Sequence, residues 1–133
     1  MGRSDSQDNA ARQLAIATAR AASRYNTEDI VVLDLRQFSP VTQYFVIGTG
    51  TSARQLRATA DEIARVGTRR GDPVWRTAGL ETCTWVLLDF VDVVVHLFDQ
   101  THRAYYDLEL IWGEAPRVDW GGDGDAPAGE GAR

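Results

Sequence analysis

Trp85-Val86-Leu87-Leu88-Asp89-Phe90-Val91-Asp92-Val93-Val94-Val95-His96-Leu97-Phe98 is two largely apolar runs of six around a two-residue break. Such a pattern predicts a β-hairpin turning at Val91-Asp92, with Phe90 facing Val93, Leu88 facing Val95 and Val86 facing Leu97. Alternation then places Val86, Leu88, Phe90, Val93, Val95 and Leu97 on one face, all suited to a core. Trp85, Leu87, Asp89, Val94, His96 and Phe98 fall on the other. Antiparallel sheets usually show water a polar face. An apolar face punctuated by one acid and one imidazole therefore reads as a surface awaiting a partner.

The elements around the hairpin suit one α/β (α+β) domain of 133 residues, long enough to bury a core without staples. A helix is expected from about Ala10 to Tyr25, with Leu14, Ala17, Ala21 and Tyr25 at helical spacing. Strands follow at Ile30–Leu35 and Tyr44–Gly48. Ser52 and Gln55 match a capping box opening a second helix, for which Gly67 is the expected terminator. A loop through Trp75 leads to the hairpin. A last helix spans about Thr101 to Trp112, with Tyr105, Leu108, Ile111 and Trp112 in register. The order α-β-β-α-β-β-α implies a mixed sheet with helices against one face. Residues 10–120 form the domain. Residues 1–9 read as a flexible tail, and the Gly/Asp-rich 121–133 is too poor in apolar groups to order itself.

Charge and cysteine content narrow the function classes. The net charge of −5 argues against direct nucleic-acid binding, since phosphate affinity comes from Lys and Arg; no direct sequence-specific nucleic-acid partner is expected. Residues 50–79 carry six Arg against three acids, while residues 80–120 carry eight acids against Arg103 and Arg117. A basic partner would be steered toward the hairpin half. Cys83 is the single cysteine, so no internal disulfide is available and a reducing compartment fits. No apolar run reaches the roughly 18–20 residues of a membrane span, and Met1–Asn9 lacks a signal-peptide core. A cytoplasmic protein off the membrane is expected.

Candidate chemistry is sparse. The Gly48–Ser52 loop joins a strand to a helix start and could hold an anion, but it lacks a P-loop Lys and dinucleotide spacing. A nucleotidyltransferase-like enzyme would use that loop for phosphate and Asp34, Asp89 or Asp92 for a divalent metal. Yet the residues after the loop, Arg54-Gln55-Leu56-Arg57, contain no acid pair. His96 lies diagonal to Asp89 within pairing range, but no Ser or Cys nucleophile stands beside them. A structural or interface role for His96 is the simpler reading. Tyr106 and Trp112 form a secondary candidate patch, because aromatics commonly anchor interfaces. The rest of that helix's stripe is expected in the core.

Taken together, Asp29–Asp34, Ser39–Ser52, Trp85–Asp89, Asp92–His96, Tyr106–Trp112 and Ala115–Trp120 resemble the ribosomal silencing factor (Iojap) family. That resemblance implies a nucleotidyltransferase-like fold without catalytic acids, no enzyme activity, and neither cofactor nor metal. It also implies a partner: protein number fourteen of the large ribosomal subunit, whose occupation blocks subunit joining and represses translation. Trp85 matches the family's binding tryptophan. Leu87, Asp89, His96 and Phe98 follow from the shared face, with Leu87 and Phe98 as apolar surround and Asp89 as acceptor for a partner Lys or Arg. Self-association through the same face is a further expectation. Where the family turn usually reads Gly-Asp, this chain has Val91-Asp92. Val disfavours positive φ, so a bulged or longer turn is the alternative.

Overall fold

A computed structural model of the chain describes residues 5–121. Its elements are α1 (Asp5–Arg24), β1 (Glu28–Asp34), β2 (Tyr44–Thr49), α2 (Ala53–Arg69), β3 (Arg76–Ala78), β4 (Trp85–Asp89), β5 (Val93–Phe98), α3 (Gln100–Tyr106) and α4 (Leu108–Ile111). The sheet order is β1-β2-β5-β4-β3, with β2 and β5 parallel and the other pairs antiparallel. β5 is therefore the central strand, and all six of its residues are buried. A run of Val-Val-Val-His-Leu-Phe suits that position, because a strand covered on both faces need not alternate. No helix among the described residues is long and apolar enough to cross a membrane.

The hairpin register is the expected one: Val86 opposes Leu97 and Leu88 opposes Val95, and Phe90 N–H donates to the Val93 carbonyl at 2.8 Å. The turn has two residues despite Val91. Val91 takes φ +76°, and the Asp92 N–H bonds back to the Phe90 carbonyl at 3.0 Å, a γ-turn nested in the hairpin. Asp89 holds this unfavourable valine, its carboxylate accepting from the Val91 N–H at 2.7 Å.

Below the sheet, α1 and α2 pack on the Val86/Leu88/Val95 face. Ala11, Leu14, Ala15, Ala19, Ala21 and Ala22 are all buried there, the small side chains letting α1 lie close. The spacing places the helix start at Ala10, whereas the structure starts it at Asp5; the rest of the expected tails, residues 1–4 and 122–133, lies outside the described residues. Ser52 caps α2, accepting from the Gln55 N–H at 3.0 Å. Gln55 reaches back as expected, but to the Thr51 N–H (3.0 Å), while its amide donates to the Tyr25 carbonyl (2.7 Å) at the end of α1.

Three expectations need correction. Gly67 does not end α2, which runs on to Arg69 with the positive φ of +82° arriving at Gly71. Gly67 is instead required by packing: a Cβ there would sit 2.4 Å from Phe90 Cε1 and 2.5 Å from the Asp72 carbonyl. The segment after Trp75 is not all loop. Arg76–Ala78 pairs with β4 as a fifth, edge strand, too short and too exposed to show periodicity. The last helix is broken in two at Asp107, which adopts φ +44° and serves as C-cap of α3 and N-cap of α4.

Candidate functional site

The site grows from the second face of the hairpin. Here the helices do not lie on one side only: α3, α4 and the turn after them fold back over the sheet face opposite α1 and α2. Leu33, Leu35, Ile47, Phe98 and Ala115 form a second core there, flanked by Phe45, Trp85, Leu108 and Trp112. The expectation of an open Trp85 face is corrected accordingly. Phe98 is buried to 1% exposure and His96 to 5%, so neither presents itself to a partner. The hairpin strands place them outward from the main core, but sequence spacing could not show that the chain returns to cover them.

What remains at the surface is half-buried Trp85 and Leu87, with Tyr106 above them. Trp85 lies in an aromatic cluster, its ring 4.5 Å from Tyr106 and 5.0 Å from Phe98 between centroids. Its indole Nε1–H donates to His96 Nδ1 at 3.1 Å. That bond requires the imidazole proton on Nε2. Burial pushes the His96 pKa down to about 4, so the ring is neutral at pH 7 and keeps its acceptor. Phe45 packs edge-on against His96 (4.5 Å) and against Trp112 (5.9 Å). The aromatic row thus runs from Trp112 through Phe45 and His96 to Trp85 and Tyr106.

Asp89 and His96 do not pair. Leu87, not Asp89, stands opposite His96 in the ladder. One Asp89 oxygen accepts from Val91 N–H and the other lies 3.9 Å from Arg76, which makes its first duty the turn. His102 has a role too: its N–H and its ring Nδ1 both lie 2.8 Å from the Asp99 carboxylate at the start of α3.

The break at Asp107 resets which side chains of the C-terminal segment face inward. Leu108 and Trp112 turn to the second core. Tyr105, Leu110 and Ile111 point out, at 78%, 77% and 66% exposure, where Tyr105 and Ile111 were expected in a buried stripe. Tyr105 adjoins the Trp85–Tyr106 surface, its ring 5.0 Å from Tyr106. The asparaginyl-like freedom of Asp at positive φ was the available signal for the break. Around this apolar ground stand Asp99, Asp107, Glu109 and Glu114, with Arg103 bonded to Glu109 at 3.0 Å and to Thr49 at 2.8 Å.

The Gly48–Ser52 loop borders a cavity of about 460 Å³ whose lining, among the described residues, includes Glu28 and Asp99 and no Arg. Acids repel phosphate, and the Thr51 N–H that could cradle it is taken by Gln55. Asp34 is committed as well: burial raises its pKa, but the Arg36 fork at 2.9 and 2.7 Å outweighs this and holds it below the usual carboxylate value. Among the described residues, no three His, Cys, Asp or Glu side chains converge as metal ligands.

The chain matches the sequence model of the family "Ribosomal silencing factor during starvation" over residues 8–131. It is 42% identical over 101 residues to the ribosomal silencing factor RsfS of Bacillus subtilis, covering 76% of this chain and 86% of that one. A mouse relative, "Mitochondrial assembly of ribosomal large subunit protein 1", is 34% identical over 90 residues, which is 65% of this chain and 40% of its own. A crystal structure of a Chromobacterium violaceum protein superposes with a TM-score of 0.74 at 31% identity, covering 77% of this chain and 85% of that one. By its sequence and its fold alike, the chain belongs to the ribosomal silencing factor (Iojap) family.

Proposed function

We propose that this protein is a translation repressor that docks on the large ribosomal subunit through the surface centred on Trp85. Its partner there is large-subunit protein number fourteen, and the bound protein stands where the small subunit would join. One observation carries the reading: a large aromatic anchor is partly exposed, yet its indole is held in place by a buried, neutral histidine. An anchor already fixed in its bound pose loses little rotamer entropy on docking. Leu87 and Tyr106 beside it, and Leu110 and Ile111 beyond, supply apolar ground, and Asp99, Asp107 and Glu114 give the rim the sign that attracts a basic protein. Asp89, engaged with the turn, contributes by shape more than by charge. His96 and Phe98 act from beneath, as supports of Trp85.

Co-sedimentation with purified large subunits tests this. Trp85→Ala should keep the circular-dichroism spectrum of the parent and lose about 2–4 kcal/mol of binding, roughly 30- to 1,000-fold. Undiminished co-sedimentation of the folded variant overturns the assignment of the face.

A further inference from the structure

The two long helices carry a second surface on the side of the sheet away from Trp85. Arg20 and Arg24 stand one turn apart on α1, while Arg69 closes α2 and Arg70 caps it. All four are exposed, and with Ala17 and Val66 they line one groove of about 260 Å³ between the helices. No carboxylate is among the lining residues that the structure describes. Arg20 Nε donates to the Trp120 carbonyl at 2.9 Å, and Arg69 reaches Glu62 at 3.2 Å, so both are braced from outside the groove. Arg20, Arg24 and Arg70 bring three guanidinium groups to a neutral floor beside the Glu62-paired Arg69, and an anion seated among them relieves their mutual repulsion.

The shape of the charge selects the anion. Exposed Arg54, Arg57 and Arg65 extend the row along α2, interrupted by Asp61 and by Glu62, which bonds both Arg65 and Arg69. From residue 54 to residue 70 the row extends about 24 Å at helical rise. A single phosphate would use one end of it, whereas a backbone with repeated phosphates uses the length. Guanidinium forks match phosphate oxygens two at a time.

We propose that this helix face binds the phosphate backbone of duplex RNA, by charge and shape rather than base sequence. The chain's own acidic segment is the competing occupant. Gly121 lies against Arg20, and beyond it come Asp123, Asp125 and Glu130. Three carboxylates spread over eight residues carry charge far more sparsely than the one phosphate per residue of an RNA strand, which favours RNA. Because Trp85 lies on the far face, this inference stands apart from the docking reading.

The test is fluorescence anisotropy of the full-length protein with a labelled 20-base-pair RNA duplex, between 50 and 200 mM salt. Binding should weaken with salt along a log–log slope of about −3 to −4, as expected for four phosphate contacts. Arg24→Glu with Arg70→Glu should cut affinity at least about tenfold and flatten the slope by about two, since each lost phosphate contact removes roughly one. Arg24→Lys with Arg70→Lys should keep most of the affinity, and Trp85→Ala all of it. Equal melting temperatures of the Glu and Lys pairs would show that the loss is not unfolding. No binding at 50 mM salt, or binding indifferent to the Glu pair, overturns the proposal. So does binding that appears only once Asp123, Asp125 and Glu130 are changed to Asn, Asn and Gln, which would assign the groove to the acidic segment.

Discussion

Trp85 and His96, on neighbouring strands of the central hairpin, are joined by a 3.1 Å hydrogen bond from the indole Nε1–H to the imidazole Nδ1. The two are offset in the ladder, since Leu87 is the residue opposite His96 and Phe98 the one opposite Trp85. The bond therefore ties a surface aromatic diagonally to the buried centre of the sheet. His96→Phe keeps a flat ring against Phe45 and removes the acceptor. The expected result is a folded protein with about fivefold weaker large-subunit binding, the worth of one neutral hydrogen bond of roughly 1 kcal/mol. Co-sedimentation titrations of the two proteins side by side measure it.

The same histidine makes stability depend on pH. Burial holds the folded pKa at about 4, against 6.5 for the ordinary group. Between those values the unfolded chain binds a proton that the folded chain refuses, so stability is full above about pH 6.5 and falls as pH drops toward 4. The loss attributable to His96 is of order 3 kcal/mol. His96→Gln, which does not titrate and can still accept from Trp85, should lose less stability than the parent between pH 7 and pH 4.5. Urea unfolding at the two pH values checks it. Parallel losses would remove His96 from the explanation.

Much of this arrangement could be read from the chain, and the exceptions have physical causes. The hairpin register was legible because a period of two leaves one alignment that buries Val86, Leu88, Val95 and Leu97 together. The cap at Ser52 was legible because its partners are three residues away. Burial of His96 and Phe98 was not, because it depends on a segment returning from beyond Asp107. Nor was the second pairing of β1, where Pro116–Val118 runs along the open edge and exchanges bonds with Val32 and Asp34 at 2.8 Å. Local patterns show which face of a strand is apolar. They do not show which later piece of chain covers it.

Val91 is a place where the residue opposes its own conformation. Its φ of +76° puts a β-branched side chain in a region that suits glycine, and the side chain is 49% exposed, so packing gives little in return. Val91→Gly should stabilise the protein by about 1 kcal/mol net of the added chain entropy. Thermal unfolding should shift upward by about 3 °C at this chain length. A lower melting temperature would mean that the valine contributes contacts the exposed turn does not suggest.

Gly67 makes the opposite forecast. It lies in mid-helix, where glycine usually weakens a helix by roughly 0.5–1 kcal/mol relative to alanine. Propensity alone therefore predicts that Gly67→Ala stabilises. The space does not allow it: the new methyl would meet Phe90 at 2.4 Å and the Asp72 carbonyl at 2.5 Å, and one of those is backbone. Overpacking of this kind costs about 1–3 kcal/mol, enough to outweigh the propensity gain. Gly67→Ala should lower the urea midpoint with unchanged slope, and Phe90→Leu in the same chain should recover part of the loss.

The exposed residues after Asp107 separate docking from folding. Leu110 and Ile111 are 77% and 66% exposed, so replacing both by Ser removes little buried surface and should leave the melting temperature within about 2 °C, the range of ordinary surface changes. If they extend the Trp85 surface, the same pair should weaken large-subunit binding by about ten- to thirtyfold, or roughly 0.7–1 kcal/mol for each apolar side chain covered on docking. Tyr105, more exposed still at 78%, marks the outer limit of that surface, and Tyr105→Ser should cost less than either. Comparison with Trp85→Ala then orders the surface from centre to rim. The reverse order, with the α4 pair mattering more than Trp85, would move the centre of docking from the hairpin to the C-terminal helices.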